Sequence, residues 1–342
     1  MEGNKPKEKE LKNNEKSKKK KRLGWFGKTI LILLFIILMI VTSLYMYIHN
    51  KIGKVQSEEI NEEELSISET TNNNLAKYRN IALFGVDARA DTYSKGNRSD
   101  CIIIASINNE TKEVKLISVY RDTYSHIEGH GLDKITHAYS YGEAPLAIKT
   151  LNENLDLNIK EFVAVNFESV KEIIDTIGGV SINITSEEVK FIPGINKPGT
   201  YNLTGEQALA YARIRYATGG DYKRTERMRD ILIAASNKVR NLNIGQLNNL
   251  VDKILPRVYT NLRASDIFSL LPSATSFKVT KSMGWPYETR GMTMDRWYGI
   301  PVTLESNVER LHKEEFGEID YVPSDRVKEI SNQIIKKTGY NK

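Results

Sequence analysis

The sequence predicts a mixed α/β domain with one core, helices on both faces of a central sheet, preceded by one transmembrane helix. Three observations predict it. Between Lys28 and Lys51 lie 22 residues without Lys, Arg, Asp or Glu, and about 20 apolar residues suffice to span a bilayer as a helix. From Tyr78 onward, short β-rich runs alternate with stretches of helical apolar spacing. The 40% hydrophobic content of the 342 residues supplies a large core and excludes a disordered chain.

Residues 1–28 form a basic tail, with 11 Lys and Arg against 4 Asp and Glu, and the run Lys18 to Arg22 stands just before the apolar span. The positive-inside rule then puts the N-terminus in the cytoplasm and everything after residue 50 outside, with Trp25, Tyr45 and Tyr47 as interface anchors. A cleaved signal peptide is the competing reading, but the span is long for one and no Ala-x-Ala-like site follows Tyr47. Residues 51–77 hold no aromatic residue and many Glu, Ser and Asn, which reads as an extracytoplasmic linker. The remaining domain is 78–342.

Within it, Asn80–Gly85 is a strand ended by glycine and followed by a polar loop from Asp87 to Asp100. Cys101–Ile107 and Val114–Tyr120 are strands joined by a turn over 108–112. A helix is expected at 144–155, a strand at Phe162–Val165, and a helix over Ser169–Ile177 stopped by Gly178 and Gly179. Thr204 and Gln207 fit a capping box before a helix reaching about Arg213. Arg224–Val239 is amphipathic, and helices near 244–255, 264–273 and 324–338 frame a β-rich stretch at 276–304.

Composition excludes several functions. Once the tail is set aside, the body is near neutral, which removes the electrostatic case for a nucleic-acid partner. A single cysteine, Cys101, rules out an internal disulfide and a Cys-based metal site, and its apolar run makes it a small strand residue. His126 and His130 are four apart, yet Gly129 and Gly131 argue against a helix holding them on one face. His137 reads as packing.

Asp87 and Asp100 flank the loop between the first two strands. Such hard oxygen ligands suit Mg²⁺, whose shell substrate phosphate and water complete. Surface solvation or turn capping would explain two Asp alone, so the arginines decide. Arg98, Arg121, Arg213, Arg215, Arg224 and Arg227 come from separate segments, and guanidinium groups clamp phosphate bidentately. Helix-dipole compensation or a solvated helix face would account for Arg213 and Arg215, or Arg224 and Arg227, taken singly. Together with the two Asp they point to a pyrophosphate site.

Five segments in one order, Asn80-Ile-Ala-Leu-Phe-Gly-Val-Asp87, Arg98-Ser-Asp100, Ser118-Val-Tyr-Arg-Asp122, Lys134-Ile-Thr-His-Ala-Tyr-Ser-Tyr-Gly142 and Leu203-Thr-Gly-Glu-Gln-Ala-Leu-Ala-Tyr-Ala-Arg-Ile-Arg215, resemble the motif set of the LytR-CpsA-Psr family over roughly residues 78–240. The resemblance implies a three-layer α/β/α domain. Its implied activity is a phosphotransferase that moves an anionic glycopolymer, such as teichoic acid or capsule, from undecaprenyl pyrophosphate to a peptidoglycan hydroxyl, with Mg²⁺, or Mn²⁺ in its place. By that resemblance Asp87 and Asp100 match the metal-associated aspartates, and Arg98, Arg121, Arg213, Arg215 and Arg224 the pyrophosphate ligands. Arg227 joins them from its place on the same helix. Asp87 and Arg121 are the catalytic candidates, with Asp221 in reserve as general base. Where the family often has Arg followed by paired Gln, this chain has Arg227-Met-Arg-Asp230, and the short linker leaves no room for an accessory domain. A prenyl chain requires an apolar groove, expected from the helices near 144–155, 169–177 and 229–239. The alternative is a non-catalytic polyprenyl-phosphate-binding regulator or carrier, which keeps the arginines and needs no metal.

Overall fold

Nine residues from Tyr78 to Val86 form the strand around which the domain is built. Ala82, Phe84 and Val86 point to one face and pack in the largest apolar cluster, while Ile81 and Leu83 point to the other. The neighbouring strand repeats the pattern, with Ile102 and Ile104 on the first face and Ile103, Ala105 and Ile107 on the second. A strand covered on both sides reads as an unbroken apolar run rather than an alternating one. This explains the composition of Ile102–Ala105.

The computed structural model describes Met39 and residues 56–88, 93–215, 220–263 and 276–341. The expected membrane span 29–50, Met39 apart, the basic tail 1–28 and the helix expected at 264–273 lie outside the described residues, as does the Asp221 side chain. Among the described residues no helix is long and apolar enough to cross a membrane. The chain divides into two units, Met1–Asn50 and Lys51–Lys342.

In the second unit one mixed sheet runs β1 (Gln56–Ser57), β10 (Tyr259–Thr260), β7 (Glu161–Asn166), β2 (Tyr78–Val86), β3 (Ser99–Asn108), β4 (Glu113–Val119), β11 (Lys278–Trp285). β2, β3 and β4 are an antiparallel meander. β7 joins β2 in parallel and β11 joins β4 in parallel. The carboxyl ends of β2, β4, β7 and β11 and the start of β3 therefore share one end of the sheet. Open α/β sheets bind ligands at such an end.

Three hairpins complete the strands: β5 (Tyr124–Ile127) with β6 (Gly131–Lys134), β8 (Val180–Ile184) with β9 (Gly199–Leu203), and β12 (Thr289–Thr293) with β13 (Trp297–Pro301). The helices are α1 (Glu69–Asn74), α2 (Thr136–Leu155), α3 (Phe167–Thr176), α4 (Gly205–Ala212), α5 (Gly220–Val239), α6 (Ile244–Ile254), α7 (Leu304–Leu311) and α8 (Asp325–Thr338). α2, α7 and α8 share the apolar cluster on one sheet face. Leu232 and Ile233 of α5 cover the other, and α3 to α6 enclose a further apolar cluster with the β8–β9 hairpin. The expected α/β/α layering is present.

Some boundaries differ from expectation, for physical reasons. α2 starts at Thr136 and kinks at Gly142 and Glu143, just before Pro145. Proline is tolerated in a helix's first turn, so the spacing that begins at Ala144 belongs to the second of two merged segments. The Thr204–Gln207 capping box forms as expected and starts α4. Residues 56–77, expected as linker, belong to the domain: β1 pairs with β10, Ser68 caps α1, and Leu65 and Leu75 are buried in the main cluster. Two leucines inserted into a core anchor a segment whose polar composition conceals them. α7 was not anticipated.

Candidate active site

Gly85 pairs with Cys101 and Val86 with Ser99, so Asp100 is an extra residue on β3 with no partner on β2. Such a bulge re-aims one side chain without disturbing the ladder beyond it. Glycine is required at position 85, because a Cβ there would lie 2.8 Å from that of Cys101. Cys101 itself is half-buried among apolar groups, and burial pushes its thiol up to about 12.

The Asp100 carboxylate lies between two guanidinium groups. Oδ1 accepts from Arg121 Nη1 at 2.9 Å and Oδ2 from Arg224 Nη2 at 3.3 Å. Arg121 follows the end of β4 and Arg224 stands in the second turn of α5, so three elements converge there. Burial alone would raise the Asp100 carboxyl, but Arg121 and Arg224 outweigh it and hold it below the usual carboxylate value. Arg121 Nε also faces Asp122 Oδ2 at 3.5 Å, and Lys134 Nζ donates to Asp122 Oδ1 at 2.5 Å. Three cations thus share two carboxylates, leaving the group net positive.

A cavity of about 400 Å³ opens here, lined by Asp100, Arg121, Asp122 and Arg224 and walled by Tyr120, Tyr222 and Trp297. Tyr222 meets Tyr120 edge-on at 4.5 Å and shares a hydrogen bond with Thr289 at 2.7 Å. Gly284 leaves room for the Tyr120 phenol, which any Cβ at that position would overlap. The β12–β13 hairpin is tied to the site by Gly299 N, which donates to Asp122 O at 2.9 Å. Charged groups at one end and aromatic faces around them suit a ligand that carries both phosphate and sugar.

The other expected residues are placed as follows. Asp87 is exposed beyond the end of β2, and its N–H donates to Arg98 O at 2.9 Å, which sets Asp87 and Arg98 side by side at the sheet end that holds Asp100. Arg98 is exposed too. Arg213 terminates α4 and lies over the Phe167 ring at 5.2 Å, and Arg215 is exposed two residues on. The structure therefore joins Asp100, Arg121 and Arg224 directly, leaves Asp87 and Arg98 exposed at the same end of the sheet and outside the cavity lining, and sets Arg213 over Phe167 just past the end of β7.

Arg227 does not face the cavity. It is buried, donates from Nε to Glu188 Oε1 at 2.7 Å and from Nη1 to Ile214 O at 3.1 Å, and so braces α5 against the segment that carries Arg213 and Arg215. Three positions along the helix leave Arg227 roughly 60° around the axis from Arg224, and here that offset carries it to Glu188 and the Ile214 carbonyl instead of Asp100. Among the described residues the helices near 144–155, 169–177 and 229–239 do not wall the single apolar groove expected of them, because α2 lies on one sheet face and α3 and α5 on the other. Apolar groups do adjoin an arginine at Phe167, Ile214 and Met228, in the cluster under Arg213.

Among the described residues no three His, Cys, Asp or Glu side chains form a preformed metal site. His126 lies between Arg326 and Glu153, His130 stacks on Tyr141, and His137 Nδ1 is 2.7 Å from Asp133 Oδ2. Sequence reasoning gave no role to Asp122, Lys134, Tyr222 or Trp297. Asp122 and Lys134 stood inside motif segments, but an ion pair across 12 positions leaves no periodic trace. Trp297 belongs to a hairpin whose position over the site follows from tertiary contacts alone.

Comparison with known proteins points to one family. A model of the LytR_cpsA_psr family matches residues 42–305. Polyisoprenyl-teichoic acid–peptidoglycan teichoic acid transferase TagT of Bacillus subtilis (strain 168) is 34% identical over 226 residues, 62% of this chain and 70% of that protein. The similarly named TagU of Bacillus licheniformis is 31% identical over 283 residues, 81% of this chain and 89% of that protein. A solved structure of TagT bound to LIIa-WTA aligns with a TM-score of 0.57 at 25% identity, covering 78% of this chain and 92% of that one.

Proposed function

The chain belongs to the LytR-CpsA-Psr family, and from that premise we propose that it is a transferase that moves an anionic glycopolymer from a polyprenyl-pyrophosphate carrier to a peptidoglycan hydroxyl. The observation that carries this reading is the Asp100–Arg121–Arg224 cluster at the floor of an aromatic-walled cavity. The named relatives act on polyisoprenyl-linked teichoic acid. Undecaprenyl pyrophosphate is the carrier proposed here, and teichoic acid the first polymer to test.

Phosphoryl transfer demands positioning and charge stabilisation more than covalent protein chemistry. Arg121 and Arg224 hold the diphosphate, and their fixed guanidinium groups stabilise charge that gathers on the bridging oxygen as its bond to the glycan-side phosphorus breaks. The acceptor oxygen bonds to the glycan-side phosphorus, polyprenyl phosphate leaves, and the hydroxyl proton passes to a carboxylate, with Asp87 the candidate. The aromatic faces of Tyr222 and Trp297 hold sugar rings at the mouth. The cluster under Arg213 supplies the apolar surface for the start of the prenyl chain.

Asp87 and Asp100 also fit Mg²⁺ or Mn²⁺, since such an ion is held by one or two carboxylates and completed by phosphate and water. The observation behind this is the backbone pairing of Asp87 with Arg98, which brings two carboxylate-bearing strand ends together. When bound, the metal would neutralise charge between Asp100 and the diphosphate.

The domain is proposed to face outward from the cell membrane on its single anchor. Supplying the detergent-solubilised full chain with lipid-linked teichoic acid and peptidoglycan should give wall-bound polymer and free polyprenyl phosphate. Lipid binding with no released polyprenyl phosphate would favour the carrier reading instead.

A further inference from the structure

At the other end of the sheet lies a larger cleft, of about 900 Å³. Its walls come from the start of β2, the turn after β3, α1, the segment before β7 and the residues flanking β10. β2 spans nine residues, so at ~3.3 Å per residue the two sites stand on the order of 25 Å apart. Six asparagines line the cleft: Asn72, Asn73, Asn80, Asn109, Asn158 and Asn261. Asn261 is committed to backbone, accepting from Phe162 N and donating to Lys160 O. The side-chain amides of Asn72, Asn73 and Asn109 make no hydrogen bond among the described residues.

Asn80 is the most informative of the six. It is 4% exposed, and its Nδ2 donates to Asn158 Oδ1 at 2.7 Å. Its Oδ1 is buried with no partner. An unmet buried acceptor is unfavourable, and a ligand's N–H or O–H would satisfy it. Of the seven charged groups in the lining, four pair with one another, and Glu58, Glu59 and Arg263 are the other three. Arg79 clamps Glu161 through two bonds of 2.6 and 2.8 Å, and Lys160 pairs with Glu62 at 2.7 Å.

An amide offers both donor and acceptor, as do hydroxyl and acetamido groups, whereas an anion needs donors alone. We infer that this cleft is a binding site for a neutral glycan bearing hydroxyl and acetamido groups, separate from the arginine-lined cavity. Asn72, Asn73 and Asn109 hydrogen-bond its rim-facing hydroxyls, and Asn80 Oδ1 accepts from the group that enters deepest. This goes beyond the transfer reading, and its binding does not depend on turnover at Arg121 or Arg224.

The test is calorimetric titration of the detergent-solubilised full chain with chitotetraose, the β-1,4-linked tetramer of N-acetylglucosamine. Saturable binding is expected, weakened about tenfold or more in the double variant Asn72→Ala/Asn109→Ala, since each lost hydrogen bond counts for a factor of several. Asn73→Trp, which fills the cleft from an exposed position, should block binding as well, with thermal melts checking that both variants fold. The binding that the asparagine variants remove should persist in Tyr222→Ala. Absence of saturable binding, loss on Tyr222→Ala but not in the asparagine variants, or displacement of the tetramer by a glycerol phosphate oligomer would each overturn the proposal. Transfer assays on the same samples report on the arginine cavity independently.

Discussion

The Asp100 carboxylate and the Arg121 guanidinium, 21 positions apart in sequence, meet at 2.9 Å, and the second oxygen of Asp100 faces Arg224. The aspartate therefore holds two cations together. Asp100→Asn keeps the shape and removes the charge, leaving Arg121 and Arg224 to repel each other. Its stability should fall by about 1–3 kcal/mol, and transfer by about a hundredfold or more. Thermal melts and turnover check this, and wild-type values in both would refute the assignment.

Arg224 and Arg227 should separate cleanly. Arg227→Met leaves Glu188 buried without its partner, and a loss of about 3 kcal/mol is expected, with turnover per folded molecule nearly unchanged. Arg224→Lys retains the charge but loses the planar fork, so turnover should fall while the melting temperature moves little. The opposite pattern, a stable Arg227→Met enzyme with no activity, would place Arg227 in the site after all.

Acid should weaken the fold through these carboxylates. Burial alone would raise Glu188, but the Thr185 backbone N–H and Arg227 outweigh it and hold its value below normal, and Asp100 is depressed likewise. A group depressed in the folded state contributes stability that is complete above its unfolded value and lost as pH falls through the folded one. The melting temperature should hold near neutrality and decline below about pH 4. The gap between wild type and Glu188→Gln should narrow over the same interval. A gap that widened toward acid would contradict the assignment.

Chelation should abolish transfer, with Mg²⁺ or Mn²⁺ restoring it, and Asp87→Ala should lose turnover with little change in melting, because Asp87 is exposed. Full activity of Asp87→Ala in chelator would remove the metal from the mechanism.

Protease added to intact, wall-stripped cells should degrade the domain after Tyr78 and spare the basic tail. The opposite cleavage pattern would reverse the topology drawn from the Lys18 to Arg22 run.

Much of this was legible in the residues, unevenly. Strands such as Cys101–Ile107 show themselves because a sheet covered on both faces needs uninterrupted apolar residues, and the Thr204–Gln207 cap is a local signal. The role of Asp100 was only half legible. Its place at a strand end could be read, but its pairing with Arg224, 124 positions away, could not. Arg227 misled because i and i+3 lie on neighbouring parts of one helix face, and only tertiary contacts decide that Arg224 meets Asp100 and Arg227 meets Glu188. Leu65 and Leu75 were hidden for a related reason, since two isolated leucines in a Glu- and Asn-rich stretch carry no period. Trp297 entered the site only because Asp122 O accepts from Gly299 N in a hairpin formed late in the chain.

The unopposed position of Asp100 makes the site sensitive to residue count as well as to residue kind. Deleting one residue between Asn97 and Ser99 would let the ladder close regularly, and the following side chain would turn to the opposite surface, since successive strand residues alternate. Ile102 to Ile107 would keep their places. The join of the preceding loop to β3 therefore cannot change length, a constraint on insertions and deletions that is added to the one on Asp87 and Arg98 themselves.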